Sequence, residues 1–379
     1  MTEQLFRNAA IVLPDAVFTG TVVVKDGLIH DVAPGNTAAA GHDLEGDFLV
    51  PGLVELHTDH LESHLQPRPK VRWPAPSAIA AYDAQIAASG ITTVFDCIRT
   101  GRDIDNTSAK DEVLDVLMHL RQAREAGVLR ADHRIHVRCE VCVDDVVELT
   151  EEVMQDFPVS LISLMDHTPG ARQFRAMETW RTYYGGKTGL SPEGLDALIQ
   201  RKREQYDRNY ARHRRQLVGL AVSRDVVLAS HDDTTEAHVE ESIADNVAIA
   251  EFPTTLEAAR KSHGANLKVV MGAPNVVRGG SHSGNVSAET LARDGVLDIL
   301  SSDYVPASLL LGAFAIAERV ESISLPQAIA TITRTPAQAA GLDDRGEIAP
   351  GKRADLVRVR LKDGLPIVRE VYRNGARIV

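Results

Sequence analysis

The sequence predicts an α/β protein, a TIM-type (β/α)8 barrel joined to a small β domain formed by both chain termini. Three observations carry this reading. Eight short apolar runs recur through the middle of the chain, helical stretches separate most of them, and both ends are rich in turns and strand-like segments. The small β domain is expected over residues 1–50 and 345–379, and the barrel over 51–344.

The elements follow in order. Ala9–Leu13, Gly20–Lys25, Leu28–Val32 and Asp47–Val50 read as short strands, with a hairpin turn at Asp26-Gly27. At the other end, the turn-rich stretch from Gly346 to Val357 precedes a strand at Ile367–Tyr372 and a turn at Asn374-Gly375. An isolated strand pair is marginal, so the two ends are expected to complete one sheet assembly. The barrel strands are expected at Leu53–His57, Ile91–Asp96, Arg134–Glu140, Val159–His167, Val226–His231, Val247–Phe252, Leu267–Gly272 and Leu297–Asp303. Several are dense in Val and Ile, as strands buried on both faces require. Helices are expected at Ser77–Ser89, from Ser191-Pro192-Glu193 onward, at Thr235–Asp245 and at Leu325–Ala340. An open doubly wound sheet is the competing architecture, but no Gly-x-Gly-x-x-Gly follows the first strand.

The strand ends concentrate acids and imidazoles. They read His57-x-Asp59, Asp96, Glu140, Asp166-His167, His231-Asp232-Asp233, Glu251 and Asp303. In such barrels these ends form the active face. Alternation along a strand puts His57 and Asp59 on one face. The set His57, Asp59, Glu140, His167, His231 and Asp303 is what one or two divalent cations need, with Glu140 placed to bridge and Asp303 to act as base toward an activated water. Mixed nitrogen and oxygen ligands suit zinc, with manganese or iron as alternatives. Each residue also has a structural reading. Asp232 or Asp233 would cap the helix at Thr235, Glu140 and His167 would satisfy buried backbone groups, and Asp303 would start a turn. His60, His64 and Asp96 fit second-layer or surface roles equally well. Cys139 and Cys142 form a lone Cys-x-x-Cys whose sulfurs would point to opposite faces of a strand, so they read as structural, as does Cys97.

Three loops concentrate cations. The first carries Arg68, Lys70 and Arg72 among stiffening prolines; the second carries Arg172, Arg175, Arg181 and Lys187; the third runs from Asn275 through Arg278 to His282 and Asn285. Its glycines, hydroxyls, amide and guanidinium suit phosphate recognition. The expected anion-binding residues are Arg68, Lys70, Arg172, Lys187, Asn275, Arg278 and His282. Cations along Arg201–Arg215 read instead as a solvated helix face.

Bulk properties exclude several classes. The net charge of −12 argues against broad nucleic-acid binding, and no apolar run is long enough to cross a bilayer. Three cysteines make no disulfide framework, and the first residues lack a signal-peptide pattern, so a cytoplasmic setting is expected. A homodimer is the prior for assembly.

Pro51-Gly-Leu-Val-Glu-Leu-His57 and Gly351-Lys-Arg-Ala-Asp355-Leu-Val resemble the amidohydrolase superfamily. His57-Thr-Asp59-His60-Leu-Glu62, Gln66 to Pro74, Ser163 to Gly170, Ala229 to Asp233, Gly272 to Asn285 and Leu300 to Tyr304 resemble, more narrowly, the PhnM family of the carbon–phosphorus lyase pathway. The resemblance implies metal-dependent hydrolysis of α-D-ribose 1-methylphosphonate 5-triphosphate to the 5-phosphate and pyrophosphate. It also implies a barrel with a split β domain and a phosphorylated small molecule as partner. The first strand carries His-x-Asp where the superfamily usually has His-x-His. No lysine ends the fourth strand, so a carboxylated lysine bridge is not expected, and Glu140 fits the glutamate ligand that other members place on the third strand. His60 stands where the subgroup would have an amide and receives no role. Two rival functions remain: an amidohydrolase acting on a cyclic amide or N-acyl substrate, and a metal-free barrel serving as a scaffold in a multiprotein complex.

Overall fold

A computed structural model describes residues 3–68, 71–101, 110–174, 177–281 and 284–379. Five strands come first: β1 (Glu3–Val12), β2 (Val17–Lys25), β3 (Leu28–Pro34), β4 (His42–Asp43) and β5 (Phe48–Pro51). Eight follow as β6 (Leu53–Thr58), β7 (Ile91–Thr100), β8 (Asp132–Glu140), β9 (Val159–Met165), β10 (Val227–His231), β11 (Ile249–Glu251), β12 (Lys268–Gly272) and β13 (Ile299–Ser301). The chain ends with β14 (Leu356–Lys362), β15 (Leu365–Arg373) and β16 (Ala376–Arg377).

The first five and last three strands make one sheet, ordered β16-β15-β14-β5-β1-β2-β3, with β4 beside β1. Its N- and C-terminal parts meet where β5 and β14 run antiparallel, Pro51 opposite Leu356. The turns explain the hairpins. Asp26-Gly27, Asp363-Gly364 and Asn374-Gly375 all hold positive φ at both central residues, the geometry whose twist matches paired strands. β1 begins six residues earlier than its apolar pattern suggests, because a register shift between Phe6 and Ala9 lets pairing with β2 continue past the irregularity. Phe6, Ile11, Val22, Ile29, Leu49 and Leu356 fill the core of this sheet.

The second sheet is the barrel, with β6 to β13 all parallel and each strand paired with the next. First and last strands close at the upper end through a bridge between Thr58 and Asp303, with Asp59 N donating to Asp303 O at 3.0 Å and Asp303 N to His57 O at 3.2 Å. Lower down, the seam is filled by a returning segment: Val54 N donates to Ile332 O at 2.9 Å and Leu300 N to Thr331 O at 3.0 Å. That corrects the single helix expected over Leu325–Ala340. The chain forms two helices, Leu325–Ala330 and Arg334–Ala339, with the seam residues between them. Pro336 has no N–H, so Ile332 O has no donor four residues on and accepts from the barrel instead.

The barrel interior is apolar at its base, with Val54, Leu56, Phe95, Leu161, Ala229, Ile249, Val270 and Ile299 packed against Ala337 and Leu342. Above it lies a polar layer in which His136 Nδ1 donates to Leu56 O at 2.9 Å and Nε2 meets the Ser163 hydroxyl. Helices cover the outside. The long one, Pro192–Ser223, starts as its sequence dictates, with the Ser191 hydroxyl accepting from Gly194 N at 3.2 Å. Asp96 lies in the middle of β7, which runs on to Thr100, and not at a strand end. Its carboxylate holds buried His133 at 3.0 Å, and Asp83 holds the other ring nitrogen at 3.2 Å, so the group locks helix to strand.

Candidate active site

The first imidazole is aimed by a bulge. Between Glu55 and Thr58, β6 steps three residues while β7 steps two, from Val94 to Asp96. Val54 and Leu56 point into the barrel, and the extra residue brings His57 inward as well. Buried Glu55 fixes the bulge, accepting from His57 N at 2.6 Å and from Ser302 N across the seam.

Each of three imidazoles is gripped at Nδ1 by a carboxylate. One carboxylate serves two rings: Glu251 Oε1 meets His57 Nδ1 at 2.9 Å, and its Oε2 meets His231 Nδ1 at 3.2 Å. Glu140 Oε2 meets His167 Nδ1 at 2.6 Å, and Oε1 accepts the His167 backbone N–H at 3.1 Å. Nε2 is thereby left for the cavity. His57 Nε2 lies 4.0 Å from Asp59 Oδ1, and His231 Nε2 3.6 Å from Asp232 Oδ2. Burial works against charge on all these groups. At Glu251 and Glu140 the neighbouring imidazoles outweigh it and hold the carboxyls well below their usual range. Phe252, held at φ 54°, packs edge-on against both His57 and His231 at 4.9 and 5.4 Å. A bulky residue in that backbone region is strained, and Asp232 and Asp303, at φ 58° and 53°, share it.

Donor atoms gather in three places among the described residues: His57, His231 and Glu251; His167, His231 and Asp232; and, deeper, His57, Cys97 and His136, with the donors of each set within 4.8 Å of one another. A divalent cation fits the second set best. Asp232 Oδ2 is buried there with no hydrogen-bond partner among the described residues, which a cation would satisfy. The deepest set is already spent on the polar layer, and Glu251 is occupied by the two rings. Asp59 and Glu140 belong to none of these sets. Glu140 binds His167 and the Arg99 guanidinium, at 3.1 Å, so its place is behind an imidazole and not between two metals. Asp59 is paired with Arg138 of β8, whose guanidinium above all offsets its burial and holds its carboxyl down to about 2. Asp303 faces the same space; burial and then the Asp59 charge raise its carboxyl to about 6.

These groups floor a cavity of about 830 Å³, ample for a nucleotide-sized ligand. His57, Asp59, His167, His231 and Asp303 all line it, with Asp232 and Arg138. Asn275, Arg278, Ser281 and Asn285 form part of its wall. The glycines there are needed: Gly279 ends the helix Ala273–Arg278 at φ 82°, and Gly280 and Gly284 stand at 155° and 76°. Asn275 Oδ1 accepts from Ala288 N at 3.0 Å, which fixes the amide against the wall.

Other expected anion-binding residues fall elsewhere. Arg172 is buried, bound to Asp233, to Tyr210 at 3.1 Å and to Glu241 at 3.4 Å, so the expectation of a phosphate contact is corrected: its charge is committed inside the fold. Arg68 is exposed in its loop and absent from the cavity wall. Lys187 is not among the lining residues; its Nζ lies 5.6 Å from the ring of Tyr183, which does line the cavity. Lys70 and His282 lie outside the described residues. Thr235, not Asp232 or Asp233, caps the helix Glu236–Ala244. Sequence reasoning missed Arg138 and the double grip of Glu251. Strand alternation could have found Arg138, since His136, Arg138 and Glu140 share one face of β8.

Residues 194–376 match the amidohydrolase family. Across the whole chain, the protein is 45% identical over 381 residues to α-D-ribose 1-methylphosphonate 5-triphosphate diphosphatase of Escherichia coli K12, covering 99% of this chain and all of that one. It is 24% identical over 407 residues to an imidazolonepropionase of Deinococcus deserti, covering 98% and 95% of the two chains. Its fold is similar to that of N-acetyl-D-glucosamine-6-phosphate deacetylase from Mycobacterium smegmatis, with a TM-score of 0.65, 15% identity and full coverage of both chains. Among the described residues no helix is long and apolar enough to cross a membrane.

Proposed function

The chain belongs to the family of α-D-ribose 1-methylphosphonate 5-triphosphate diphosphatases within the amidohydrolase fold, and from that premise we propose that it hydrolyses this triphosphate to the 5-phosphate and pyrophosphate. The observation that carries the reading is the 45% identity sustained from end to end. The cavity supports it: a carboxylate–imidazole floor lies beneath a wall of guanidinium, amide and hydroxyl groups suited to phosphate.

His167, His231 and Asp232 would hold one divalent cation, zinc, manganese or iron, with His57 stacked beside His231, and such a cation would supply Lewis-acid polarisation and an activated water. Glu251 and Glu140 hold the imidazoles at Nδ1, which fixes each ring and leaves Nε2 pointed at it. Asp303, across the seam from His57, takes the proton of the attacking water. Arg278, Asn275, Ser281 and Asn285 receive the phosphate chain, where positioning and charge neutralisation matter more than covalent help. The three cysteines, all free and buried, support a cytoplasmic setting.

The test is phosphorus NMR of the metal-loaded protein with the triphosphate, beside a chelated control. Pyrophosphate appearing only in the loaded sample is the expected result. Orthophosphate in its place would move the bond that is cut. No turnover by protein shown to contain metal would overturn the reading and direct the search to cyclic amides.

A further inference from the structure

We propose that Arg138 is a built-in cation of the reaction centre: paired with Asp59, its guanidinium takes the place a second metal ion would occupy, and its remaining N–H groups receive phosphoryl oxygens. The second half rests on the diphosphatase reading; the first does not. Four observations carry it. Arg138 projects from β8 on the same face as His136 and Glu140 and lines the cavity floor among His57, Asp59, His231 and Asp303. Its side chain is 12% exposed, so its charge acts where water screens little. One Nη1–H holds Asp59 Oδ1, while Nε is buried with no partner among the described residues. Asp59, an acid two residues from His57, belongs to no three-donor set, and Arg138 already supplies its counter-charge.

A second divalent ion against Asp59 would have to displace that guanidinium or sit beside it, and like charges at that range repel strongly in a poorly screened site. A polyphosphate entering the cavity brings several negative charges. The planar guanidinium spends one N–H on Asp59 and keeps the others, a fork suited to two phosphoryl oxygens at once. As pyrophosphate departs, charge grows on those oxygens, and a fixed cation there lowers the barrier without moving. Asp59 on this view is the anchor that holds the guanidinium in place.

Two measurements decide it. Metal analysis of the wild-type chain after equilibration with excess zinc or manganese and desalting is expected to give one ion per chain; two tightly held ions would overturn the first half. Arg138→Ala is expected to lower kcat by about 10²–10³-fold, with partial recovery on adding guanidinium ion at concentrations too low to unfold the protein. Wild-type kcat in that variant would overturn the second half. Should Arg138→Ala fail to fold by circular dichroism, Arg138→Lys keeps the charge without the fork and is expected to lose at least tenfold in kcat, while undiminished kcat would overturn the same claim. If the wild type does not hydrolyse the triphosphate, the diphosphatase reading and the phosphoryl contact fall together, and the metal count still decides the rest.

Discussion

Glu251 shows how one side chain can set two others. Its two oxygens accept from His57 and His231, and a glutamine there offers one acceptor and one donor. Glu251→Gln is therefore expected to leave one imidazole without its acceptor and to lower metal affinity by about 10–100-fold, read by competition with a chromophoric chelator. Unchanged affinity would mean that the rings are held by packing against Phe252. A second residue gives a pH signature remote from the cavity. His133 faces Asp96 from β7, Asp83 from the helix Ala75–Ala88, and the Tyr82 ring at 5.7 Å. Burial opposes its charge, but the two carboxylates outweigh this and raise it from 6.5 to about 9. The folded state thus holds this proton more tightly than the unfolded chain. The stabilisation is complete below about pH 6.5 and is lost as pH rises through about 9. Denaturant midpoints should fall over that window, and His133→Asn should flatten the slope; an equal slope in both would refute the assignment. At this scale the sequence was legible in placing His57, His167 and His231 at strand ends that face one cavity. It was not legible where identity and role separate. Glu140 and Asp59 are acids in the right places whose charges are already taken by Arg99 and Arg138, and only the geometry assigns those partners.

The elements depend on two junctions. Gly52 links the terminal sheet to the barrel, its N–H donating to Asp355 O at 2.7 Å. A Cβ there would lie 2.2 Å from Thr92 Oγ1 and 2.9 Å from Asp355 Cβ, atoms fixed in packed segments. Gly52→Ala is expected to destabilise by about 1–3 kcal/mol, seen as a lower urea midpoint, and a wild-type midpoint would show that the junction yields. The second junction is the bulge in β6 that turns His57 inward. Eight barrel strands were readable from apolar runs, yet their limits shift: β7 runs four residues beyond Asp96, and β13 stops at Ser301. Apolar content marks where a strand is buried, whereas its end depends on what the neighbouring strand offers. The same holds for the helix expected over Leu325–Ala340, where Pro336 marks a break in the helix but nothing local says that the freed carbonyls are wanted by the seam.

At the scale of the molecule, alternation of strand and helix together with turn-rich ends was enough to specify a barrel with a terminal sheet, because parallel strands need covering helices and loose end strands need partners. Closure was not specified, since nothing local marks which residues will meet across the seam. That seam has a further consequence, for synthesis. β6 finds its seam partner only at Ile332, and β5 finds β14 only from Leu356 onward. Until the ribosome has passed Ile332 the barrel has an open side, and until it has passed Leu356 the N-terminal sheet has an open edge. Such pairings, formed across most of the chain length, are slow and leave apolar surface exposed in the interim. A nascent chain stalled before residue 331 should therefore remain protease-sensitive along its whole length, dependent on whatever shields it until the ends meet.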